Sequence, residues 1–310
     1  MRFSDNSTAQ KQTTTHAGAS VDALSPEESV LVGLDATDNL IDKIDAPAAQ
    51  SSSPKDPTSN LKKIRLLGID FAPLTYTETL DIVDQLIACG KASFFITANL
   101  NYAMLTDRNP SLTVVNDEAA FIVADGMPII WYGRLFGQKL PHRVAGADLI
   151  YGLSQRSATH GHRVFLLGAA PGVAAKAAEN LCLRYPKLKI VGIESPIFDK
   201  LSPDQHAMLL DRILATQPDL LIAAFCQPNG EIWLKENYKL LGIPVCIQLG
   251  ASIDFAAGHA KRAHLWVQKS GLEWLHRVWQ NPAKMAPRYL KNAVFLLKAT
   301  IRAVLESFRT

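Results

Sequence analysis

Arg163-Val164-Phe165-Leu166-Leu167 is a short apolar run, and Gly168-Ala169-Ala170-Pro171-Gly172 closes it with turn residues. A run of this length bounded by glycine and proline reads as a fully buried strand. An amphipathic stretch over 173–185 then predicts a helix, and 190–193 a second strand. Strand, helix, strand in so few residues is a parallel crossover unit, because parallel neighbours need a connection long enough to hold a helix.

The same alternation extends in both directions. Upstream, 64–69 and 70–72 predict a short strand pair and 77–89 a helix. A strand follows at 93–97, a helix at 101–109, a strand at 120–124, and helices at 129–136 and 148–159. Downstream, 203–216 reads as a helix, 220–225 as a strand, 231–238 as a helix and 244–249 as the last strand. The fold class is therefore α/β: a Rossmann-like, parallel-sheet layered domain over 61–257, followed by a helical C-terminal appendage over 258–310. Residues 1–60, rich in Ser and Thr, have little to bury and read as a disordered leader.

The net charge of +3 hides an uneven distribution. Residues 1–60 carry four Lys/Arg against nine Asp/Glu, whereas from Gly258 onward ten Lys/Arg stand against Glu273 and Glu306. Taken as a helix from 288 to 309, the tail brings Lys291, Lys298, Arg302 and Arg309 within roughly 40° of one another. Beside them Leu290, Val294, Leu297, Ile301, Leu305 and Phe308 form an apolar stripe, with Trp266, Trp274 and Trp279 upstream. A cationic edge along a Leu/Phe/Trp face is the pattern of a helix lying in a membrane interface. An ordinary helix packed on the core with a solvated cationic edge is the competing reading. Nucleic acid is not expected as a partner, since no binding motif accompanies the charge.

No run of eighteen apolar residues exists, so a spanning helix is not expected, and Arg2 without an apolar core following makes no secretory signal. Cys89, Cys182, Cys226 and Cys246 lack metal-ligand spacing and read as free thiols of a reducing compartment. The expected location is cytoplasmic, peripherally attached to the inner face of the plasma membrane. No metal and no cofactor are expected.

In open parallel sheets ligands bind beyond the carboxyl ends of the strands. Small or polar residues recur there: Thr97-Ala98-Asn99, Asp125-Gly126-Met127-Pro128, Gly168 to Gly172, Cys226 to Glu231, and Gly250-Ala251-Ser252 with Asp254 beyond. Gly168 to Gly172 ahead of a helix can offer amides to a diphosphate, or serve only tight packing. Asp125 at a strand end can act as a general base, or can cap the next helix.

Eight segments in order resemble the WecG/TagA/CpsF family of glycosyltransferases. They are Thr97-x-Asn99, Ala124-Asp125-Gly126, Arg143-Val144-Ala145-Gly146-x-Asp148 and Phe165-Leu166-Leu167-Gly168, then Pro228-x-x-Glu231-x-Trp233, Gly250-x-x-x-Asp254-Phe255-x-x-Gly258, Lys261-Arg262-Ala263 and Gly271-Leu272-Glu273-Trp274-x-x-Arg277. The resemblance implies inverting, metal-independent transfer of a hexose from a UDP-sugar to a polyprenyl-diphosphate-linked sugar at an anionic membrane face. It gives the base role to Asp125 and groups Thr97 and Asn99 with it around the sugar and acceptor. Arg143, Asp148, Gly168, Glu231, Gly250 and Asp254 match the substrate and nucleotide side, joined by Gly172 from the glycine turn and by Gln227 as a neighbour that could stand in for the missing glutamine; Arg143 is the candidate to hold the leaving diphosphate, unless it makes a surface ion pair. Lys261, Arg262, Arg277, Arg288 and Lys291 match the appendage that docks on the bilayer. The resemblance is compatible with homo-oligomers.

One departure stands out. Gly230 occupies a slot where the family usually carries glutamine, which leaves the donor hexose open among N-acetylmannosamine, its uronic acid and glucose, with a lean toward a neutral hexose. A catalytically inactive sugar-nucleotide or lipid-binding scaffold is the alternative function. A soluble NAD-linked oxidoreductase is disfavoured by the missing dinucleotide fingerprint.

Overall fold

The computed structural model describes residues 55–308. The expected leader falls outside the described residues up to position 54, and so does Arg309 of the tail's basic edge. A small antiparallel pair, β1 (Ile64–Leu66) and β2 (Ile69–Phe71), precedes α1 (Tyr76–Cys89). Six parallel strands follow: β3 (Phe94–Ala98), β4 (Ile122–Ala124), β5 (Arg163–Gly168), β6 (Lys189–Glu194), β7 (Leu220–Ala224) and β8 (Val245–Gln248). Their order across the sheet is β4-β3-β8-β7-β5-β6.

The apolar runs read as strands because both faces of the sheet are covered. Phe165 and Leu167 of β5 enter one core, with Leu221 and Ala223 of β7 beside them. Val164 and Leu166 enter the other, with Leu220 and Ile222. Crossovers running toward β4 place their helices on the first face: α2 (Leu100–Arg108), α3 (Ser111–Glu118), α7 (Pro203–Ala215) and α8 (Asn229–Leu241). Crossovers running toward β6 use the second: α5 (Gly146–His160) and α6 (Val173–Arg184). This segregation is what right-handed crossovers require.

The expected α/β architecture is what the structure has, with shifts at the edges. Helix α3 does not appear in the sequence reading, and α8 is longer than expected at both ends. Helix α4 (Met127–Leu135) begins directly after Gly126. Beyond α9 (Ser252–Ala256) the appendage comprises α10 (Leu265–Lys269), α11 (Glu273–Gln280) and α12 (Pro282–Ser307), the last starting earlier than expected and running through Pro287.

Helix α12 lies against α2. The edge that packs carries Asn292 and Phe295, both buried. The expected apolar stripe is a different edge and is exposed: Leu290 at 67%, Leu297 at 60%, Ile301 at 51% and Phe308 at 83%. The helix packs on the core through Phe295, as the competing reading expects of an ordinary helix, while the apolar stripe takes no part in that packing. Trp266 and Trp279 are exposed as well. Among the described residues no helix is long and apolar enough to cross a membrane.

Candidate active site

Strands β3 and β4 are paired in register, Ala98 opposite Ala124, so the residues that follow them emerge side by side. The Asp125 amide donates to the Ala98 carbonyl at 2.8 Å, which fixes Asn99 and Asp125 as neighbours on the carboxyl edge of the sheet. A cavity of about 290 Å³ opens there. Asn99, Asn101, Asp125 and Arg143 come from the sheet domain; Glu273, Trp274, Arg277, Arg288, Tyr289 and Asn292 come from the appendage. The two parts thus share one pocket.

Asp125 does not cap α4. The cap position is Gly126, and no side chain bonds the first turn. The carboxyl is half-buried in the pocket. Its pKa is raised: desolvation outweighs the attraction of Arg277 and Arg143, and the Glu273 carboxylate pushes the same way as desolvation. A carboxyl so placed holds or takes a proton at higher pH than an exposed aspartate.

Asn99 caps α2 instead of standing free, its Oδ1 accepting from the Tyr102 amide at 3.1 Å. Its amide nitrogen remains for the cavity. Thr97 lies two residues deeper in β3, 6% exposed and off the cavity wall.

Arg143 makes an ion pair, but not a surface one. Its Nη1 lies 2.9 Å from Glu273 Oε2, and the two side chains are 18% and 11% exposed. Glu273 also meets Arg262 at 3.4 Å and Arg277 at 3.5 Å. Arg262 in turn grips both oxygens of Asp148. Asp148 and Arg262 therefore join body and appendage beside the pocket and do not line it. Burial alone would raise the Glu273 carboxyl, but Arg143, Arg262 and Arg277 more than reverse this and hold it low. Arg288 lines the cavity and has no carboxylate partner among the described residues.

The remaining positions sit elsewhere on the same edge. Gly168 has φ of +96°, and a Cβ there would lie 2.6 Å from the Ala224 carbonyl, so packing accounts for this glycine. Gly172 is the left-handed cap of α6. Gly168, Gly172, Gly250 and Asp254 are off the cavity wall, and Lys261 and Lys291 are exposed.

Gln227 and Glu231 stand behind the pocket in a directed chain. Glu231 is 1% exposed, with its pKa raised to about 7 by desolvation. Its Oε1 accepts from Gln227 Nε2 at 3.2 Å, and Gln227 Oε1 accepts from Asn101 Nδ2 at 3.2 Å. With Glu231 Oε1 accepting, both amides are oriented in one direction, which leaves Asn101 Oδ1 as the acceptor offered to the cavity. Gly230 has its own explanation. A Cβ at that position would lie 2.6 Å from Gln248 Cδ. The Gln248 amide fills the space, donating to the Phe225 carbonyl and accepting from the Phe225 amide at 3.1 Å.

The pocket includes residues absent from the sequence-based set: Glu273, Asn101, Trp274, Tyr289 and Asn292. Glu273 stood inside a quoted motif, but nothing in its neighbours signalled a partner 130 positions away.

Comparison with known proteins fits this geometry. The model of the family described as glycosyl transferase WecG/TagA/CpsF matches residues 64–309. Over 195 residues the chain is 32% identical to N-acetylglucosaminyldiphosphoundecaprenol N-acetyl-beta-D-mannosaminyltransferase of Bacillus spizizenii, covering 63% of this chain and 74% of that relative.

Proposed function

Since this chain belongs to the WecG/TagA/CpsF family of glycosyltransferases, we propose that it moves a hexose from a UDP-sugar to a polyprenyl-diphosphate-linked sugar, with inversion and with Asp125 as base. The observation that carries this reading is the shared pocket: one half-buried carboxylate with raised pKa faces Arg143, Arg277 and Arg288, beneath a helix whose apolar stripe is exposed. In the proposed step Asp125 takes the proton of the acceptor hydroxyl. The hydroxyl oxygen bonds to the anomeric carbon from the face opposite UDP. The bond from that carbon to the diphosphate oxygen breaks, its electron pair leaves with UDP, and guanidinium groups hold the new charge. Positive charge comes from arginine here, and the proposal includes no metal.

The relative's name makes N-acetylmannosamine the first donor to test and a prenyl-diphosphate-linked N-acetylglucosamine the first acceptor. The inactive-scaffold alternative takes the glycine at 230 as a sign of decay, whereas the Gln248 side chain gives that glycine a packing role. Anchoring follows from the appendage. Each Lys or Arg near an anionic leaflet adds about 1 kcal/mol, and the exposed stripe adds apolar burial.

The test is UDP release from a panel of UDP-hexoses with a synthetic prenyl-diphosphate-GlcNAc acceptor. Wild type should release UDP only with donor and acceptor together. Asp125→Asn should lower the rate by about a hundredfold or more. Undiminished turnover in a folded Asp125→Asn protein rejects the base; UDP binding without turnover across the panel favours the scaffold.

A further inference from the structure

On the edge of the sheet opposite the pocket, α1 and the turn from α5 into β5 bring together a second cluster of donors. We propose that Asp84, His160 and His162 form a divalent transition-metal site of the zinc class, separate from glycosyl transfer. Three ligand atoms, one from each residue, lie within 4.8 Å of one another. Asp84 Oδ1 is 3.3 Å from His160 Nδ1 and 3.5 Å from His162 Nε2. Tetrahedral zinc with bonds of about 2.0–2.1 Å sets neighbouring donors about 3.3 Å apart, so two edges of the tetrahedron already stand near their final length. The third closes by rotation of His160, whose side chain is 40% exposed and has room to move.

The surroundings suit a cation. His162 Nε2 is buried and has no hydrogen-bond partner, a costly state that a metal bond would relieve. Asp84 uses its other oxygen, Oδ2, to accept from Arg156 at 2.9 Å, and Arg156 is held by Asp81. A ligating carboxylate steadied in this way from behind is the usual outer-shell arrangement of metal sites. Asp81 and Asp84 face Arg156 here, and the Lys189 ammonium near Gly161 completes the local charge balance, so the site rests on its donor geometry and not on net negative charge. Two imidazoles and one carboxylate select zinc-like ions over calcium or magnesium, which prefer oxygen donors. The side toward solvent leaves the fourth position to water. Bound there, the metal would clip α1 to the α5–β5 turn.

Cobalt(II) is the probe, added to full-length, chelator-washed protein without a polyhistidine tag. The wild type should show the visible absorption of tetrahedral cobalt at about one ion per chain, reversed by zinc, and zinc should raise its thermal midpoint. His162→Ala and His160→Ala should each weaken cobalt binding by at least about tenfold. His259→Ala, at an exposed histidine outside the cluster, should bind as the wild type does. Circular dichroism checks that each variant is folded. Loss of the band in either cluster variant supports the site. No tetrahedral band in the wild type, or a band unchanged in both cluster variants, overturns it; a histidine–aspartate ion pair alone would give that result.

Discussion

Replacing Glu273 with glutamine should loosen the appendage while leaving the sheet intact. The substitution keeps size and shape and removes only charge. Arg262 retains Asp148, and Arg277 is 39% exposed, so Arg143, 18% exposed, loses most. Deleting one partner of a fully buried ion pair costs about 3–5 kcal/mol. The residual exposure here reduces this to about 2–3 kcal/mol, which at about 1.4 kcal/mol per tenfold is a 30- to 140-fold shift in the local opening equilibrium. Native-state hydrogen exchange reads that shift directly. Amides of α11 should lose protection by this factor while those of β5 and β7 keep theirs. Acid should mimic the substitution. The folded carboxyl sits below its ordinary value, so its stabilising effect is complete above the unfolded pKa of about 4.3 and is lost as pH falls through the lower, folded one. If α11 exchanges alike in both proteins, or β5 and β7 lose as much as α11, Glu273 is not the latch.

Glu231 has the opposite sign. With a folded pKa of about 7, its burial destabilises the fold increasingly as pH rises from about 4.3 to 7, by on the order of 3 kcal/mol in total. Glu231→Gln should therefore gain on the wild type in thermal midpoint between pH 5 and pH 8, and parallel curves would contradict this. Gly230→Ala should cost about 1–3 kcal/mol in urea titrations through its clash with Gln248, and Gln248→Ala in the same chain should recover part of it; a neutral Gly230→Ala would show that Gln248 moves freely. Leu297→Ser with Ile301→Ser, at 60% and 51% exposure, should leave thermal stability unchanged and reduce flotation with anionic vesicles. Unchanged flotation would remove the stripe from the membrane reading.

The parts of the fold that depend on local chemistry were legible in the sequence. Strand β5 is an apolar run because both its faces are covered, and a run of that kind needs no distant information. The carboxyl-edge rule picked out Asn99 and Asp125 for the same reason, since a strand end is visible in one dimension. Helix α3 was lost because it is short and buries only Leu112 and Val115, too few positions to establish a period.

What could not be read was any pairing across the chain. Arg143 read as a candidate for the leaving diphosphate and Arg262 as part of the bilayer-docking appendage, because the partner of an ion pair leaves no periodic trace, and both are committed to carboxylates far away in sequence. Gly230 looked like a missing side chain, yet the gap is filled from β8. The same pairing changes what the pocket offers a ligand. With Glu273 and Asp125 ionised, Arg143, Arg277 and Arg288 leave an excess of one positive charge in the cavity, and among the described residues Arg288 is the pocket cation without a carboxylate partner. A diphosphate entering there must compete with Glu273 for Arg143 and Arg277, so binding and appendage docking draw on the same guanidiniums. Glu273→Gln should then open the appendage in the empty protein and lose part of that opening when UDP is bound. An opening unaffected by UDP would place the nucleotide away from these arginines.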